Sequence, residues 1–115
     1  MIVLADSLKA WGSPGFKETF SAEVASLDSM QLPLQQALMQ SSYVSDKDFT
    51  VVVLNISETK NDIEVKTGIF YAGIIAGSCS ADDPTPLDEQ TEYCEIQFVI
   101  NKLSAETTIK LLPNQ

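Results

Sequence analysis

Apolar residues recur at a spacing of about four up to residue 48. From Phe49 onward they alternate with polar ones at a period of two. Leu4, Leu8 and Trp11 stand at helical spacing and run into the breaker Gly12-Ser13-Pro14-Gly15. Phe16, Phe20, Val24 and Leu27 then form a stripe that predicts an amphipathic helix over about residues 14–27. Ser13 suits its N-cap and Pro14 its first helical position. A shorter helix is expected over 32–40, with Pro33 in its first turn and Leu34, Ala37 and Leu38 on its apolar side. Residues 41–48 read as a polar connector.

The β-rich remainder begins with Val51, Val52, Val53, Leu54 and Ile56, a β-branched run closed by the polar turn 57–62. Ile63, Val65, Thr67, Ile69 and Tyr71 continue as a long strand, alternating at first with Glu64 and Lys66. Beyond Gly68 both faces turn apolar (Ile69, Phe70, Tyr71, Ile74, Ile75), which predicts a strand covered on both sides. Gly68 and Gly73 are expected to mark a bend or bulge. Cys94, Ile96, Phe98 and Ile100 alternate with Glu95, Gln97, Val99 and Asn101, and Thr107 to Leu112 reads as a last strand. Helices first and strands second is the α+β order. The simplest assembly is a single domain over 1–115, its N-terminal helices packed on one face of a four-stranded antiparallel β-meander.

Between the second and third of these strands lies the stretch 78–95, expected to be a loop. It carries six carboxylates (Asp82, Asp83, Asp88, Glu89, Glu92, Glu95), no basic residue, a stiffening Pro84-Thr85-Pro86, and both cysteines, Cys79 and Cys94. The whole chain has a net charge of −9, so nucleic-acid phosphates and anionic membranes are not expected partners. There is no histidine, and all seven bases are lysine. That removes Ser-His-Asp and Cys-His catalysis, imidazole metal ligands and the bidentate arginine fork. Asp6 interrupts the apolar start and no basic n-region precedes it, so no signal peptide is read and a cytoplasmic location is expected. Thiols there are expected to stay reduced, and Cys94 shares its strand face with Ile96 and Phe98, as a buried structural thiol would; the alternative is a Cys79–Cys94 disulfide closing the loop.

These observations favour a non-enzymatic binding or regulatory module that uses the acidic loop 78–95. Asp82, Asp83, Asp88 and Glu89 would supply charge, Leu87 and Tyr93 apolar anchors, and a basic, lysine-rich protein the partner. The doubly apolar stretch 69–75 could complete its burial across a homodimer interface. One alternative is a metal- or small-ligand-binding protein using Cys79, Cys94 and Asp82, although no calcium-loop or Cys-x-x-Cys spacing occurs. Another is an enzyme with a pocket between helices and sheet, supported by fold analogy alone. No cofactor is implied.

Overall fold

The computed structural model describes residues 2–28, 31–38, 41, 43–45, 49–74 and 89–113, with Tyr43 and Glu89 as backbone only. Helix α1 (Ala5–Ala10) and helix α2 (Phe16–Ala25) lie against an antiparallel sheet of strands β1 (Ile2–Val3), β2 (Tyr43–Val44), β3 (Thr50–Glu58), β4 (Asp62–Ile74), β5 (Glu89–Asn101) and β6 (Glu106–Leu111). The expected meander is present as β3–β4–β5–β6. The sheet exceeds the expected four strands because two dipeptides add to it. β1 pairs with β6, and β2 sits beside the end of β4 on the edge that β3 occupies further along. β2 falls within the stretch read as a polar connector.

The stripe of α2 does what its spacing demands. Phe16, Phe20 and Val24 are buried, and Phe20 meets Phe98 of β5 edge-on with ring centroids 5.3 Å apart. Around them close Leu4, Ile63, Val65, Ile69, Cys94, Ile96 and Ile100, all fully buried, to form one core between helices and sheet. Each buried Leu, Ile or Phe side chain contributes roughly 1.5–3 kcal/mol relative to exposure, so this layer carries most of the stability. Thr67, buried among them, donates its hydroxyl to the Ile96 carbonyl at 2.8 Å.

Local chemistry departs from the sequence expectations at identifiable points. Ser13 is not the N-cap of α2; Gly15 holds that place. Gly12 adopts φ +86°, a left-handed turn that suits glycine, and folds Ser13 back so that its amide and hydroxyl both bond the Ala10 carbonyl. The start of α1 has no side-chain cap of its own. Glu23 of α2 fills that role, accepting from the Asp6 amide at 3.2 Å, the Ser7 amide at 2.8 Å and the Ser7 hydroxyl at 2.6 Å. Of the helix expected over 32–40, residues 32–37 are a series of turns, and 39–40 lie outside the described residues. Pro33 lacks an amide proton, and the Leu34 carbonyl takes bonds from the Ala37 amide and the Tyr71 hydroxyl instead of propagating a helix. Leu32, Leu34 and Ala37 are nevertheless buried.

The long hairpin β4–β5 holds the remaining surprises. Its register runs unbroken from Asp62 opposite Asn101 to Ile74 opposite Glu89. β5 therefore begins at Glu89, five residues before the expected Cys94, and Glu89, Glu92, Tyr93 and Glu95 belong to a strand rather than a loop. Neither Gly68 nor Gly73 breaks the β4–β5 register; each lies beneath a side chain that a Cβ would collide with. The expectation that both faces of β4 are covered also fails among the described residues. Ile69 and Tyr71 are buried on the helix side, but Phe70 is 44% exposed on the other.

Candidate functional site on the uncovered face of the long hairpin

Alternation along β4 and β5 sends Phe70 and Tyr93 to the face that carries no helix, where they are direct cross-strand partners. Their ring centroids lie 4.7 Å apart at a 48° tilt. Tyr93 reaches across Gly68, close enough that a Cβ there would sit 2.7 Å from its hydroxyl oxygen. Glycine at 68 is what lets the ring lie flat on the sheet. The hydroxyl donates to Glu95 at 2.9 Å, and Glu95 faces Lys66 Nζ at 3.6 Å. Desolvation, followed by the hydrogen bond to Glu95, pushes the Tyr93 phenol above its ordinary value, so it remains a neutral donor through the physiological range.

Val52, 40% exposed, stands opposite Gly68 on the neighbouring strand, and Leu54, 45% exposed, follows at a bulge between Val53 and Asn55. Further along, the Gln97 amide donates to Glu64 at 3.0 Å. The arrangement is an aromatic and aliphatic centre bordered by polar pairs. Fixed aromatic surface of this kind suits docking an apolar anchor, with the Lys66–Glu95 pair and Glu64 available to polar groups around it.

The candidate residues read from the sequence distribute unevenly around this patch. Tyr93 is at its centre. Glu89 lies at the start of β5, its backbone paired with Ile74. Cys79, Asp82, Asp83, Leu87 and Asp88 lie outside the described residues. Glu92 turns the other way: it is 2% exposed and accepts from the Ser41 amide at 2.9 Å and the Ser41 hydroxyl at 2.7 Å. That carboxylate ties the chain before β2 to the sheet. Cys94 has a free, fully buried thiol that burial, then Glu95, pushes up to about 11. A thiol so placed is a poor metal ligand and a poor nucleophile. Among the described residues no three Cys, Asp or Glu side chains come together as a metal site.

Sequence reasoning does not single out Phe70, Gly68 or Val52 as site residues. The available signal is parity: Phe70 alternates with Ile69 and Tyr71, so it has to face away from them. Open depressions occur elsewhere, between residues 31–36 and β6, at the turn joining β3 to β4, and between α1 and α2. Among the described residues they carry no convergent set of reactive groups. Among the described residues no helix is long and apolar enough to cross a membrane. The chain matches no protein-family model, no curated protein and no solved structure.

Proposed function

We propose that this protein is a cytosolic, non-enzymatic binding or regulatory module that docks a lysine-rich protein on the uncovered face of its long hairpin. The single observation that carries this reading is the Phe70–Tyr93 pair, held over Gly68 on a face with no helix. An apolar anchor of the partner would rest on the two rings. The net charge of −9 and the carboxylates of residues 78–95, apart from buried Glu92 and the Lys66-paired Glu95, favour a basic partner over an acidic one. Aromatic centres contribute most of the energy in such contacts, and the charges act mainly on encounter rate and specificity.

The test is an NMR titration of the isotope-labelled chain with a lysine-rich peptide carrying one tryptophan. Amide shifts should concentrate around Phe70, Tyr93 and residues 82–95, and weaken as salt rises. Phe70→Ser should lower affinity by about tenfold or more while leaving the melting temperature in place. Reversing charge together at Asp82, Asp83, Asp88 and Glu89 should do the same. Affinity that survives both variants, or shifts scattered over the molecule, rejects this surface.

A further inference from the structure

A second surface, the free edge of β3, adjoins the aromatic patch and shares Val52 with it. β3 forms one side of the sheet, paired with β4 along one edge only. Its other edge is open among the described residues, and no backbone group of 50–57 there finds a partner. Proteins protect such edges with lysine, proline, an inward charge or a covering element. The stretch Thr50-Val51-Val52-Val53-Leu54-Asn55-Ile56-Ser57 contains no charge and no proline, and most of it is β-branched. Among the described residues its sole protection is the bulge at Leu54. Val51 and Val53 face α2, which packs against this strand, and are half-buried. The opposite border of the sheet differs. β1 covers Glu106 and Thr107 there, and Lys110 stands in the part of β6 beyond it.

We infer that the β3 edge is the docking site for a second copy of this chain, the two β3 strands adding antiparallel about a two-fold axis at Val52. Antiparallel pairing of a strand with itself is two-fold symmetric, so the assembly closes as a dimer with one continuous sheet. The register with Val52 opposite its own copy sets Val51 against Val53 and Thr50 against Leu54, and these uncharged pairs suit a sheet. Charge selects this orientation. Antiparallel addition places the two copies of Glu58 about 40 Å apart, several screening lengths, whereas parallel addition would set them side by side. Pairing stops at the bulge after about five residues, well short of the roughly 800 Å² per partner of a standard interface. The −9 charge of each copy opposes pairing, so the dimer is reversible, concentration-dependent and strengthened by salt. Because Val52 belongs to both surfaces, the two readings are separated by Phe70→Ser, which lies on β4 and should leave the dimer in place.

Sedimentation equilibrium on the full chain, from about 10 µM to about 1 mM, should show a monomer–dimer equilibrium. Val52→Lys should leave only monomer over that range with an unchanged melting curve. As a check independent of folding, Val52→Cys combined with Cys79→Ser should form an intermolecular disulfide in oxidised glutathione. Thr50→Cys in the same background should not, because its two copies would lie about 14 Å apart in this register. Monomer alone at the highest concentration, a dimer untouched by Val52→Lys, or equal crosslinking of the two cysteine variants would overturn the inference. So would open-ended growth beyond the dimer, the signature of β3 adding to β6 of the next molecule. A dimer absent alone but replaced by a strand from another protein would overturn it as well.

Discussion

Two glycines on β4 show how one atom has different consequences on the two faces of a sheet. At Gly68 an added Cβ meets the Tyr93 hydroxyl at 2.7 Å and its ring at 2.8 Å. That ring is the end of a half-buried side chain and can swing away. At Gly73 the Cβ would run into the Oγ and Cβ of Ser41 and come within 3.1 Å of the Glu92 Cγ. Ser41 cannot yield, because its amide and hydroxyl are both bonded to buried Glu92. Gly73→Ala should therefore destabilise by about 1–3 kcal/mol as an overpacked site, and Gly68→Ala by less than about 1 kcal/mol. Chemical denaturation of both variants checks the order, which would be reversed if Tyr93 were the more rigid neighbour. In Gly68→Ala the Tyr93 phenol should also return toward its ordinary value as it leaves Glu95, a change readable by NMR titration.

Among the elements, α1 owes its position to a residue on another helix. Its 6 residues are too few to persist alone, and Glu23 supplies three hydrogen bonds at its first turn. Ser7 is fully buried, so losing that carboxylate strands its hydroxyl and amide. Glu23→Ala should cost about 2 kcal/mol in denaturant unfolding and should speed hydrogen exchange in α1 before α2. Equal exchange in both helices would mean that they unfold as one unit. Nothing in the spacing of Ser7 and Glu23 announces this contact, since they meet only after the chain reverses. The same holds for residues 31–38, where Tyr71 claims the Leu34 carbonyl from 37 residues away. Elements written in local periodicity were legible: α2 and the four long strands follow their stripes and alternations. The start of β5 was legible in part. Glu92 continues the parity of Cys94, Ile96, Phe98 and Ile100, but a carboxylate on a core face reads as loop until its Ser41 partner is known. At the candidate site, Tyr93 was found from composition, and Phe70 was hidden because the apolar run suggested cover on both sides.

For the molecule as a whole, the face toward the helices sets the alkaline limit of stability. Burial, then the Cys94 and Glu92 charges, drives the Tyr71 phenol well above its ordinary 10.0, and burial pushes the Cys94 thiol from 9.0 up to about 11. The folded chain holds both protons more tightly than the unfolded chain, so stability is full below about pH 9 and falls as pH rises through 9–11. Melting curves between pH 7 and 11 should show this decline, and Cys94→Ala should remove its first part, leaving the onset near the tyrosine range. Parallel declines in both proteins would assign it elsewhere. One last consequence belongs to time. Ile2 pairs with Thr107, and the Leu4 amide bonds the Ala105 carbonyl, so the first strand completes its contacts only with the last. At ordinary rates of synthesis the helices wait roughly 5–20 s for that partner, with Phe16, Phe20 and Val24 lacking the β5 surface they bury against. The nascent chain thus exposes that apolar stripe until β5 has been made.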